Sequence, residues 1–138
     1  IIAPNGMNRQ AYELRVVDSP ELLSAISDAC SKDGKHIFNG APCVVFIAND
    51  TSYDMSQVDC GLLGENMILS AWSMGVGSCC MARPVRMMLD TPACAPYVEK
   101  LGFSEGFSLL YSIVFGYPDE APAAKPRTAD RIRFVECE

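Results

Sequence analysis

The side chains that ordinarily carry chemistry are sparse in this sequence. Its single histidine, His36, sits beside Lys35 in a polar stretch and reads as a solvated loop residue rather than a catalytic base. No serine lies in a Gly-x-Ser-x-Gly elbow, and no pair of carboxylates has the setting of a glycosidase or a metal site. Seven cysteines fall at positions 30, 43, 60, 79, 80, 94 and 137. Their odd number, the lack of any Cys-x-x-Cys and the lone imidazole argue against a disulfide scaffold and against zinc. Cys43, Cys79 and Cys80 lie in apolar segments, where cysteine acts as a small hydrophobe. Neighbours on a strand point to opposite faces, which disfavours a reactive Cys79–Cys80 pair. The pattern is that of a reducing compartment. No catalytic side chain and no metal ligand is assigned.

Where side chains cannot do the chemistry, a cofactor can, and three segments have the composition to hold one. The loop Ala3-Pro-Asn-Gly-Met-Asn-Arg-Gln10 offers the amides of Asn5, Asn8 and Gln10 around Gly6. Short amides bond polar heterocycles or phosphates, and glycine lets the backbone approach; such a loop is also a common turn. The stretch Gly75-Val-Gly-Ser-Cys-Cys-Met-Ala-Arg83 presents small side chains beside backbone N–H groups, a wall for a flat ring or simply a helix end running into an interior strand. Gly116-Tyr-Pro, followed by Lys125-Pro-Arg127, sets two cations on a tail, either a phosphate clamp or a solvated end.

Stepping outward along the chain, Tyr12–Val17 alternates Tyr12, Leu14 and Val16 with Glu13 and Arg15, the pattern of a strand with one covered face. Ser19, Pro20 and Glu21 start a helix with an apolar stripe of Leu22, Leu23, Ile26 and Cys30. Residues 32–39 read as a loop or short helix. The unbroken apolar run Cys43–Ala48 predicts a central strand covered on both faces. A long helix is predicted over Met55–Met74, with Val58, Leu62, Leu63, Met67, Ile68, Ala71 and Trp72 at helical spacing, and its mostly apolar character suggests burial. Gly75 and Gly77 end it. A short strand or extended loop at 78–82, short helices at 84–89 and 93–101, and a long strand at Phe107–Phe115 follow. Ile132–Val135 is a candidate terminal strand. The order of elements predicts an α+β or mixed α/β sandwich.

Composition sets the outer bounds. With 138 residues, 49% of them apolar and 20% charged, the chain makes one domain with a real core and is not disordered. The net charge of −6 argues against nucleic acid as the main partner. No window approaches a membrane span.

Taken together and in order, the three segments resemble the nitroreductase family of FMN-dependent oxidoreductases. Ala3–Gln10 is similar to that family's Pro-Ser-x-x-Asn-x-Gln loop. Residues 59–79 resemble its central helix with the Gly-x-Gly-Ser exit, and Val114-Phe-Gly-Tyr-Pro118 with Lys125-Pro-Arg127 resembles its last core strand and Gly-Tyr-Pro…Lys-x-Arg ending. The resemblance implies a single FMN-binding domain over 1–138. Its fold would be an α+β sandwich: a central mixed or antiparallel sheet flanked by helices around a long buried helix, in an intertwined homodimer with FMN at the interface. Pro4, Asn5, Gly6 and Asn8 would contact the flavin held mainly by the partner. Cys80, Met81 and Ala82 would run along the isoalloxazine, and Lys125 and Arg127 would meet the phosphate. Hydride would pass from NAD(P)H through FMN to a nitro compound, quinone or activated alkene; a flavin-binding or regulatory protein without turnover is the alternative. A cytoplasmic location is expected. The sequence departs from the family pattern in three ways. The usual N-terminal helix with its Arg-Ser-x-Arg phosphate motif is not in the chain, whose N-terminal segment is expected to be missing. Pro-Asn-Gly replaces Pro-Ser-x. Ala82 and Arg83 stand where some subgroups carry Glu-Gly.

Overall fold

The computed structural model describes residues 2–31 and 34–135. Four antiparallel strands form one sheet in the order β1-β2-β4-β3: β1 Tyr12–Val17, β2 Cys43–Asp50, β3 Gly77–Met81 and β4 Phe107–Gly116. The helices are α1 Pro20–Cys30, α2 Ser56–Ser73, α3 Arg83–Asp90 and α4 Ala95–Leu101, with short 3-10 turns at Gly6–Asn8, Pro92–Cys94 and Ala129–Arg131. Among the described residues no helix is long and apolar enough to cross a membrane.

Local signals account for the element ends. Ser19 caps α1, its hydroxyl accepting from the Leu22 N–H at 3.2 Å, and Pro20 occupies the first helical position. At the far end of α2, Gly75 takes the left-handed φ of +75°. The N–H groups of Gly75 and Val76 return to the Trp72 and Ala71 carbonyls at 3.0 and 2.9 Å, which satisfies two orphan acceptors of the last turn.

The sheet divides the molecule into two layers. On one face Val17, Val44, Phe46, Leu109 and Val114 pack against Leu23 and Ile26 of α1, Val85 and Met88 of α3, and Leu101 of α4. On the other face Val45, Ile47 and Ile113 meet Cys60 of α2, with Tyr12, Leu14, Met67, Ile68 and Tyr111 around them. β2 is therefore buried on both faces, as its apolar run predicts. A register shift at Ile47/Ala48 against β4 inserts Leu110 and sets both Leu110 and Tyr111 toward the α2 layer.

Five expectations need correcting or narrowing. The sheet is wholly antiparallel, not mixed. The alternation in β1 does not give one covered face: Val16 is 64% exposed, whereas Val17 on the opposite side is buried. Ile132–Val135 forms no strand and lies exposed; β1 and β3 each leave an edge of the sheet open, and the tail pairs with neither. Cys30 and Cys94, 64 residues apart with Cα atoms 6.3 Å apart, are joined as a disulfide between α1 and the 3-10 turn at Pro92–Cys94, against the expectation of reduced cysteines without a disulfide framework. Their approach is a tertiary event that spacing in sequence does not reveal. The long helix α2 is buried along one side only, through Ser56, Asp59, Cys60, Leu63, Gly64 and Ala71; Val58, Leu62, Leu69 and Trp72 are exposed.

Candidate functional site

The 3–10 loop is a constrained structure rather than a plain turn. Met7, Asn8 and Gln10 all have φ between 51° and 54°, a region that costs a non-glycine residue energy unless its surroundings hold it. The Asn5 Oδ1 accepts from the Gln10 N–H at 2.9 Å, and the Arg9 N–H donates to the Gly6 carbonyl at 3.0 Å. The Gly6 N–H donates to Asp59 Oδ1 at 2.9 Å, tying the loop to the first turn of α2. A Cβ at Gly6 would collide with the Tyr53 hydroxyl, so a larger residue there requires the Tyr53 side chain or the loop to shift. On its outer side the Arg9 guanidinium stacks over the Tyr53 ring, 4.6 Å from the centroid.

This bonding sorts the loop's predicted contacts. Both backbone polar groups of Gly6 are engaged within the protein, so a ligand meets it only by close approach. The Asn5 amide is spent within the loop, its Nδ2 donating to the Ala3 carbonyl at 3.3 Å. Asn8 is exposed; its N–H donates to the Asn5 carbonyl at 3.4 Å, and among the described residues its side chain engages only through Oδ1, in a long 3.5 Å contact from Gln10 Nε2. Pro4 is exposed as well.

Cys80 and Met81 close β3, and Ala82 leads into α3. Because β3 lies at the sheet edge and pairs only with β4, alternate backbone groups along it face away from the sheet. Ser78, Cys79 and Cys80 are exposed there. The Met81 carbonyl is already taken by the Ser112 hydroxyl at 3.0 Å. Partial cover of its sulfur, with Cys79 beside it, pushes the Cys80 thiol up from its ordinary range, which lowers its thiolate fraction. Cys60 is inert for the same reason, pushed up to about 11 by burial and by Asp59.

Lys125 and Arg127 lie exposed on the irregular tail, Arg127 Nη1 donating to the Lys125 carbonyl at 2.6 Å. A wide cleft of about 910 Å³ opens between α2, β3 and the end of β4, with Ile68, Leu69, Trp72, Ser78, Cys79 and Tyr117 among its walls. Hydrogen bonds join the 3–10 loop to α2 and join β3 to β4; among the described residues none links loop, β3 and cationic tail to one another. His36 stays out of all three: its Nδ1 accepts from the Phe38 and Gly40 N–H groups at 3.3 Å and caps its own turn.

Asp59, Tyr53 and Arg9 were not singled out by sequence reading. The one available signal was a carboxylate placed within the apolar stripe of a helix, on the side of Cys60 and Leu63, where an acid is rarely found without a partner.

This sandwich, with its edge strand and its glycine-containing loop clamped to a central helix, has known counterparts. A model of the nitroreductase family matches residues 33–117, more than half of the chain, and the chain belongs to that family. It is 28% identical over 127 residues to an NADH dehydrogenase/NAD(P)H nitroreductase of Archaeoglobus fulgidus, covering 87% of this chain and 68% of that protein. An NADPH-flavin oxidoreductase of Vibrio harveyi is 33% identical over 73 residues, which are 53% of this chain and 28% of the relative. Of solved structures, a nitroreductase with bound FMN from Desulfitobacterium hafniense matches with a TM-score of 0.84 at 27% identity, covering 97% of this chain and 80% of that one. A second, also with bound FMN, from Bacteroides fragilis, matches at 0.80 and 26% identity, covering 98% and 81%.

Proposed function

We propose that this protein is an FMN-dependent oxidoreductase that takes reducing equivalents from NADH or NADPH and delivers them to a small nitro compound, quinone or activated alkene, and that it works as a homodimer. The observation that carries the reading is the agreement of fold, over nearly the whole chain, with two nitroreductases holding FMN. When bound, FMN supplies the hydride-accepting and hydride-donating chemistry that the side chains lack.

The residues present fit such a group. The free edge of β3 at Cys80 and Met81, continuing into Ala82, offers backbone N–H groups, the Met81 and Ala82 carbonyls being taken by Ser112 and Arg86, and such donors suit the polar edge of a planar ring. Pro4, Asn5, Gly6 and Asn8 form a preorganised wall, with the Asn8 amide as its hydrogen-bonding member and Gly6 as its point of close approach. Lys125 and Arg127 supply the positive charge a phosphate requires in an otherwise acidic chain. Within one chain the bonding leaves these three groups apart. Two copies joined through the exposed side of α2 bring one chain's loop to the other's β3, and Leu69 and Trp72, 58% and 73% exposed, supply apolar surface for that contact.

The purified protein is expected to be yellow with FMN bound. NADH or NADPH added without oxygen should bleach it, and a quinone or nitroaromatic should restore the colour. A protein that refuses added FMN overturns the proposal, and one that binds FMN without bleaching loses the catalytic half of it. Lys125→Ala and Arg127→Ala should each weaken FMN binding by roughly 1.5–3 kcal/mol, the worth of a charge-assisted hydrogen bond, read by fluorescence titration. Unchanged affinity in both removes the phosphate assignment. Cys79→Ser combined with Cys80→Ser should leave flavin reduction intact; its loss in a folded variant would restore a thiol mechanism.

A further inference from the structure

We infer that Asp59 is the positioning residue of the 3–10 loop: from the first turn of α2 it holds the Gly6 N–H, and so fixes the strained backbone that meets the flavin. The inference rests on the function proposed above and adds a residue to its machinery.

Four observations meet at this point. Asp59 is only 3% exposed, yet it spends one carboxylate oxygen on a loop amide 53 residues away in sequence, at 2.9 Å. Its second oxygen is buried with no hydrogen-bond partner among the described residues. A buried carboxylate so incompletely satisfied is a poor purchase for stability alone, and such strained or unsatisfied features concentrate at functional sites. The bond it does make ends at the residue just before the run of positive φ at Met7 and Asn8. Beside it, Gly6 lies so close to the Tyr53 hydroxyl that a Cβ there would collide with it unless Tyr53 or the loop moved. Amide bond and close contact fix the same residue from two sides, while Asn5 and Arg9 close the loop on itself.

The floor of this anchor is itself hydrogen-bonded. The Asn49 Nδ2 donates to the Ser56 Oγ at 2.9 Å in a buried pair that ties β2 to the first residue of α2. Tyr53 lies in the turn between them, its N–H donating to the Asp50 carbonyl and its carbonyl accepting from the Ser56 N–H. Hydrogen bonds thus join loop, turn and helix start to one another. Asp59 touches no reacting atom in this scheme; it acts through Gly6 by setting where Pro4, Asn5 and Asn8 stand.

The test compares Asp59→Ala, which removes the acceptor, with Asp59→Asn, which keeps an acceptor oxygen and removes the charge at the helix start. Two readouts are taken on the full chain: FMN affinity, and hydrogen exchange of the Gly6–Gln10 amides without flavin. Asp59→Ala should weaken FMN binding by about tenfold or more and speed exchange at Gly6, while Asp59→Asn restores both close to wild type. A second pair avoids α2 altogether. Gly6→Ala should displace the loop and lower FMN affinity, and Tyr53→Phe in the same chain should recover part of it by removing the colliding oxygen. Wild-type FMN affinity and a protected Gly6 amide in Asp59→Ala would overturn the inference and leave the proposed function standing. Equal losses in the alanine and asparagine variants would also overturn it, because they would trace the effect to charge at the helix terminus. A wild-type chain that binds no FMN would bring down the proposed function, and this inference with it.

Discussion

The two faces of the sheet are built from the same strands yet reach different degrees of completion. On one, α1, α3 and α4 close over Phe46, Val44 and Leu109, and the core is sealed within a single chain. On the other, α2 lies alone over Val45, Ile47 and Ile113 and turns Val58, Leu62, Leu69 and Trp72 outward. A helix with apolar residues on both sides is not stable as a solvent-facing element. The difference teaches that this chain carries one finished core, which gives it a fold, and one unfinished layer, which is where the proposed dimer and its flavin would sit. The cleft between α2, β3 and β4 opens on the unfinished side.

The largest effect should come from breaking the finished face. Phe46 is fully buried and meets Phe38 edge to face, ring centroids 5.8 Å apart. Phe46→Ala should cost about 3–5 kcal/mol through lost burial and a residual cavity, a large part of the stability of a domain this size. The urea midpoint measures it. A loss below about 1 kcal/mol would mean that this face is no better packed than the other.

A smaller effect on stability, but a larger one on assembly, is expected from Trp72→Glu with Leu69→Glu. Both positions are exposed in the single chain, where such changes ordinarily alter stability by about 0.5 kcal/mol or less. Buried between two copies, the two carboxylates would be charges without partners. Sedimentation should therefore show a dimer for the wild-type chain and a monomer for the variant, with FMN binding lost alongside. A wild-type monomer, or a variant dimer, would break the contrast between the faces.

How far the sequence foretold this arrangement depends on the range of the signal. Ser19 and Pro20 announced α1, and Gly75 announced the end of α2, because caps act within a few residues. The run from Cys43 read as a doubly covered strand because burial on both faces removes alternation. Apolar spacing in α2 was equally legible, but spacing alone does not say whether a neighbour in the same chain or in another covers a given side. The candidate loop was visible through Asn5, Gly6 and Asn8. Its division of labour was not, because that is set by Asp59, 53 residues on, and by Tyr53. Ile132–Val135 failed as a strand for a related reason: β-branched and aromatic composition expresses a preference that only a pairing edge can satisfy.

The smallest effect concerns the rim of the finished face, where Glu13 and Arg15 fasten β1 to the end of α4. Arg15 donates to the Leu101 and Gly102 carbonyls at 2.8 and 2.6 Å and pairs with Glu13 at 2.8 Å; Glu13 also accepts from the Ser104 N–H at 3.2 Å. Hydrogen bonding from Ser104, then the Arg15 partner, outweighs the opposing effect of burial and holds the Glu13 carboxyl below its usual value. A carboxyl depressed on folding stabilises the native state above its unfolded-state value, and that contribution fades as pH falls through the folded-state value. Glu13→Gln should therefore lower stability near neutral pH by a few tenths of a kcal/mol, about what a partly exposed pair is worth. The difference from wild type should shrink on acidification below the ordinary carboxylate range. A difference that stays constant with pH would assign Glu13 to packing alone, and the rim of the sealed face would then owe nothing to charge.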